Sequence, residues 1–203
     1  DIKKDLQILI PMYKGDCGIN EINSKIQDLV NPLKDENEQI KHYGQVFREN
    51  DKVIDIACGT GVLFDEILAL NPSCLWGIDL SDRMLIKASE KYSDERIKLW
   101  KGDFYDFPEK DFDLAFIYRA YPHFPDKSTF AEKLHSVLKP NGRFIIAHNE
   151  SRDKINRRHA EGAAEISDLL LPAETESRNF KDLFSIDIVA DTDYVYIISG
   201  TRK

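Results

Sequence analysis

From residue 52 onward, short apolar runs alternate with longer stretches in which apolar residues recur at helical spacing. Residues 52–57 (KVIDIA) read as a buried strand, and residues 63–70 as the helix that follows. A second strand is expected over 74–79 (CLWGID). After it, Ser81 and Asp82 open a helix that carries Met84, Leu85, Ala88 and Tyr92 on its apolar side. Residues 97–101 and 112–118 (FDLAFIY) are the third and fourth strands. Phe130, Leu134, Val137 and Leu138 mark a helix over 128–138. The turn residues Pro140, Asn141 and Gly142 then lead into a fifth strand at 143–148. Two further apolar runs, 184–190 and 194–200, are separated only by a short Asp-rich turn, which forces an antiparallel hairpin.

Strands separated by helices predict an α/β Rossmann-like three-layer sandwich. Its seven-stranded sheet is expected to be mostly parallel, closed by an antiparallel C-terminal hairpin. Residues 1–203 read as one domain. Two segments fall outside the rhythm: a polar N-terminal cap (1–49) with candidate helices at 21–30 and 35–47, and an insertion at 151–178. Both flank the expected ligand end of the sheet, and the insertion is a candidate lid.

Charge narrows the function. Asp and Glu total 36 against 28 Lys and Arg, a net charge of −8, which tells against a protein held on phosphate backbones. The three cysteines, Cys17, Cys58 and Cys74, are odd in number and widely spaced, a pattern of a reducing compartment. No run approaches the roughly 20 apolar residues that span a bilayer, and residues 1–5 lack a secretory apolar core. A cytoplasmic protein without membrane partners is expected.

The informative stretch is Asp55-Ile-Ala-Cys-Gly59-Thr-Gly61, set between a strand and a helix. Glycines at 59 and 61 allow a tight turn and close approach of a ligand at the strand's carboxyl end. Asp79 ends the second strand, where a carboxylate would hold ribose hydroxyls. Asp103 follows the third, placed to read an adenine amino group, with Phe104 as an apolar wall. No third glycine follows, since Val62, Leu63 and Phe64 come next, and this disfavours a dinucleotide pyrophosphate.

These segments, with LKPNGRFIIAH and FDLAFIYRAYPHFPD, resemble the successive motifs of class I S-adenosylmethionine (SAM)-dependent methyltransferases, especially small ones related to quinone-biosynthesis methyltransferases. The resemblance spans about residues 52–148. It implies SAM as cofactor, S-adenosylhomocysteine as product, and a seven-stranded sheet with a reversed last strand. Asp79 would hold the ribose, Asp103 and Phe104 the adenine, and Gly59 and Gly61 would lie under the methionine end. Asp55, Ala57, Leu80, Met84 and Tyr118 are expected to complete that wall. Ala57 stands where many members of the family carry a glycine.

The acceptor is expected beyond the fourth and fifth strands, with His123, His148 and Tyr121 as candidate catalytic residues. Arg119-Ala-Tyr121-Pro-His123 replaces the Asn/Asp-Pro-Pro-aromatic tetrapeptide of nucleic-acid amino methyltransferases, so a small-molecule acceptor is favoured. An RNA methyltransferase and a non-catalytic SAM-binding module are the alternatives, and a homodimer is left open. Arg152, Arg157 and Arg158 are candidates to clamp an anionic acceptor, against the reading of a charged helix face. His135 is expected to be solvated. No metal is assigned, although His123, His148 and His159 supply imidazoles.

Overall fold

The computed structural model describes residues 50–162 and 169–203, without the side chains of His159 and Glu161. The N-terminal cap, with Cys17 and its candidate helices, lies outside the described residues.

The elements run β1 (Lys52–Ile56), α1 (Phe64–Leu68), β2 (Cys74–Asp79), α2 (Asp82–Lys91), β3 (Ile97–Lys101), β4 (Phe112–Tyr118), α3 (Lys127–Val137) and β5 (Leu138–His148). Then follow α4 (Arg152–Gly162), the single turn α5 (Ala173–Glu176), β6 (Phe184–Asp191) and β7 (Tyr196–Arg202). The seven strands form one sheet in the order β3-β2-β1-β4-β5-β7-β6. Strands β1 to β5 pair in parallel, while β7 runs antiparallel to both β5 and β6. The expected hairpin therefore forms, but its second strand inserts beside β5 and its first becomes the edge.

Alternation along the strands builds a core on each face. Ile54, Ile117, Phe144, Ile146 and Ile198 face one side, with Phe130 and Leu134 of α3. Val53, Leu114, Phe116, Ile145 and Ile197 face the other, with Phe64 and Ile67 of α1 and Leu85 of α2. The Pro140–Gly142 turn lies within β5 as an irregularity: Phe112 pairs with Leu138, but Leu114 already pairs with Arg143.

The described part of the 151–178 insertion is anchored. The side-chain amide of Asn156 donates to the Leu170 carbonyl at 3.0 Å and accepts from the Leu170 N–H at 2.8 Å. Ile155 and Leu170 are buried in the α3-side core. Among the described residues no helix is long and apolar enough to cross a membrane.

Candidate functional site

Strand order reverses between β1 and β4, and there the carboxyl ends of the strands leave a crevice. A cavity of about 840 Å³ opens at this point, within the range of small-molecule sites. Asp55 lies next to the end of β1, paired in register with Gly77 on one side and Phe116 on the other. Its carboxyl is 2% exposed and faces the cavity. Burial, and after it the negative charge of Asp79, push its pKa well above the ordinary carboxylate value.

Past β1 the chain makes a turn built on left-handed backbone at Ala57 (φ 59°), Gly59 (φ 57°) and Gly61 (φ 74°). The Cys58 N–H donates to the Ile78 carbonyl at 2.9 Å, and the Gly59 N–H to Asp79 Oδ2 at 2.8 Å, which stitches the turn to β2. A Cβ on Gly61 would meet the Phe64 ring at 2.6 Å, so only glycine fits there. Asp79 Oδ1 accepts the Ser81 N–H at 2.8 Å. Both oxygens of Asp79 are thus held in place, and each keeps a lone pair for a ligand hydroxyl. Asp103 likewise accepts the Tyr105 N–H at 3.0 Å while facing the cavity.

Asp55, Asp79, Asp103, Gly59 and Phe104 all line the cavity, and so do Ala57, Leu80, Met84 and Tyr118. Gly61 does not; it shapes the turn behind the wall. These groups fit the cofactor that the resemblance implies: fixed carboxylates for hydroxyl and amino groups, an apolar slot formed by Ile78, Leu80 and Phe104, and the buried carboxyl of Asp55, which a cationic group would help to ionise. Cys58, also on the wall, is a packing residue. Burial and the charges of Asp55 and Asp79 drive its thiol far above the range in which a thiolate forms.

The acceptor candidates separate. His123 sits on the cavity wall, as do Arg119 and Phe124. Tyr121 is fully buried behind that wall, where its hydroxyl donates to Glu176 Oε2 at 3.0 Å. His148, 3% exposed, packs edge-on against Tyr196 with centroids 6.0 Å apart and is not among the lining residues. Arg119 takes a left-handed conformation (φ 57°), and its N–H reaches across to the Ala147 carbonyl at 2.9 Å. The Lys127 ammonium braces the loop from below, donating to the carbonyls of Tyr121 at 3.1 Å and Phe124 at 2.7 Å.

Two of the three candidate clamp arginines form ion pairs within the protein, which favours the reading of a charged helix face. Arg152 pairs with Asp191 at 3.4 Å, and Arg158 with Glu150. His135 is not simply solvated: it accepts a hydrogen bond from Arg202 at 3.1 Å and meets the Phe184 ring edge-on. Burial and the Arg202 charge lower its pKa. No group of three metal-ligating side chains occurs among the described residues. Sequence reasoning passed over Glu176, one of two acids in a polar stretch with no motif to mark it.

Residues 53–142 match the profile of a family described as a methyltransferase domain. The chain is 30% identical over 119 residues to sterol 24-C-methyltransferase from Debaryomyces hansenii, covering 56% of this chain and 32% of that protein. It is 32% identical over 105 residues to 2-methyl-6-phytyl-1,4-hydroquinone methyltransferase from Synechocystis sp., covering 50% and 33% respectively. The chain therefore spans about a third of the length of these relatives. An S-adenosylmethionine-dependent methyltransferase structure from Mesorhizobium loti superposes with a TM-score of 0.64 at 17% identity, over 76% of this chain and 92% of that one. The resemblance read from the motifs is thereby borne out.

Proposed function

We propose that this chain, whose residues 53–142 match a methyltransferase-domain profile, binds SAM and transfers its methyl group to a small-molecule acceptor. The observation that carries this reading is Asp79, whose carboxylate is fixed by the N–H groups of Gly59 and Ser81 at the mouth of the switch-point cavity. Bound there, SAM supplies an electrophilic methyl on a sulfonium.

The remaining work belongs to the protein. Asp79 and Asp103 orient the adenosine through hydroxyl and amino contacts, and Phe104 with Leu80 excludes water from its faces. Asp55 places a buried carboxyl, whose ionisation burial and the Asp79 charge disfavour, on the wall beside the glycine turn, where a cationic group would favour its charged form. Across the cavity, Arg119, His123 and Phe124 form the acceptor side. There His123 offers an imidazole nitrogen for the proton that an acceptor hydroxyl or amine must lose. Holding the acceptor in line with the methyl lowers the barrier by removing the entropic cost of encounter. Residues 1–203 are read as one catalytic domain.

The test is calorimetric titration with S-adenosylhomocysteine of the intact chain and of Asp79→Asn. Asparagine retains one oxygen to cap the Gly59 or Ser81 N–H, so the variant stays folded while losing the charge. Binding weakened at least tenfold in the variant supports the reading. Absence of binding to the intact chain overturns it.

A further inference from the structure

The charges of the cavity are segregated. Its carboxylates, Asp55, Asp79 and Asp103, all come from the ends of β1 to β3. Its cationic side chain, Arg119, comes from the loop after β4, with His123 four positions on along the same loop. Under the function proposed above, on which this inference rests, the cofactor occupies the acidic side. The surface left for the acceptor is then basic, in a chain whose net charge is −8. Such a local reversal repels cations and draws in anions.

Arg119 is set apart in two further ways. Arg152 and Arg158 are committed to Asp191 and Glu150, whereas the exposed Arg119 side chain forms no ion pair among the described residues. Its backbone sits at φ 57°, locked by the Arg119 N–H to Ala147 carbonyl bond. A bulky residue held in that region costs about 1 kcal/mol or more that glycine or asparagine would largely avoid. The fold accepts that cost and keeps an arginine on the wall.

We propose that Arg119 recognises the acceptor, and that the acceptor is a small molecule with an apolar body and a carboxylate. One planar guanidinium matches the two oxygens of one carboxylate. The apolar residues that line the cavity from the same loop, Ala120 and Phe124, suit a hydrocarbon or aromatic body over a polyol or a phosphorylated sugar.

The experiment titrates benzoate, and separately benzamide, into the protein with and without saturating S-adenosylhomocysteine. It uses the intact chain, Arg119→Gln and Arg119→Lys. Benzoate should bind at least tenfold more tightly than benzamide. Arg119→Gln should abolish that preference, Arg119→Lys should retain part of it, and S-adenosylhomocysteine affinity should change less than twofold in both. Equal binding of the two probes, or a preference that survives Arg119→Gln, overturns the proposal. So does a tenfold loss of S-adenosylhomocysteine affinity in Arg119→Gln, because the guanidinium would then read the carboxylate of the cofactor. Failure of the intact chain to bind S-adenosylhomocysteine, with an Arg119-dependent benzoate preference intact, would instead sink the cofactor reading and leave the anion site standing.

Discussion

The hydroxyl of Tyr121 donates to Oε2 of Glu176 at 3.0 Å, joining the loop after β4 to the segment that precedes β6 inside a wall where neither side chain is exposed. Glu176 is 3% exposed and also accepts from Asn179 at 3.1 Å and from the Leu171 N–H at 3.2 Å. The hydroxyl of Tyr196 donates in turn to the Leu171 carbonyl at 3.2 Å. A buried carboxylate satisfied by neutral donors thus ties the loop after β4 to β7.

Removing one partner of that group leaves the others buried and unpaired. Tyr121→Phe should destabilise the fold by about 1–3 kcal/mol, and Glu176→Leu by more, since it strands three donors. Urea denaturation measures both. A loss below about 0.5 kcal/mol in Tyr121→Phe would show that water replaces the phenol.

The same burial holds the hydroxyls of Tyr121 and Tyr196 protonated well above the ordinary tyrosine value, with the charge of Glu176 adding to the effect. A folded-state pKa raised in this way contributes stability that is complete below the unfolded value of about 10 and is lost as pH rises beyond it. In an alkaline titration followed at the phenolate absorbance, these two tyrosines should ionise only as the chain unfolds. Phenolate signal from either in the folded protein near pH 10 would contradict this.

Asp55 makes the opposite end of the pH range informative. Its folded pKa is raised by burial and then by Asp79, so its contribution is complete below the unfolded value of about 4 and declines as pH rises through the raised value. Asp55→Asn should therefore gain on the parent as pH increases, with the stability gap shifting by more than about 1 kcal/mol between pH 5 and pH 8. A gap independent of pH would mean that ionisation at this site is not disfavoured.

Ala57 occupies left-handed backbone (φ 59°) at the position where the resemblance expects glycine. Relief of its strain, roughly 1–2 kcal/mol, competes with the unfolded-state entropy of glycine, roughly 0.5–1 kcal/mol. Ala57→Gly should be neutral or stabilising by up to about 1 kcal/mol on that balance. A clear loss of stability would show that the Ala57 methyl, on the cavity wall, does packing that outweighs its strain.

Cys58 should resist alkylation. Its buried thiol lies among the carboxylates of Asp55 and Asp79, while Cys74 is only half-buried. Iodoacetamide at pH 8 should label Cys74 well before Cys58, which should react only at the rate of unfolding, as read by peptide mass analysis. Equal rates would refute the assignment of Cys58 as inert packing.

Local pattern carried much of this site. The residues expected to hold the cofactor lie at the carboxyl ends of strands, and a strand end is visible in one dimension as the last apolar residue before a turn. Asp55, Asp79 and Asp103 converge because parallel strands point the same way. The acceptor candidates were less legible. Tyr121, His123 and His148 look alike in sequence, each polar and near a strand end. Burial and direction separate them, because a single-turn helix after β4 turns Tyr121 inward and leaves His123 on the wall. Glu176 was invisible, since an acid in a run of polar residues has no period to betray its burial.

The sequence by itself determined the element order, the parallel sheet with its reversed strand, and the acidic, glycine-turned cofactor edge. Each of these follows from hydrophobic period, turn chemistry or strand direction, which act over a few neighbouring residues. Only the tertiary structure decided that β7 inserts between β5 and β6, that Arg152 and Arg158 are engaged elsewhere, and that Arg119 faces the cavity. Those outcomes depend on which distant segments meet, and local propensities carry no information about that until the two cores close on the sheet.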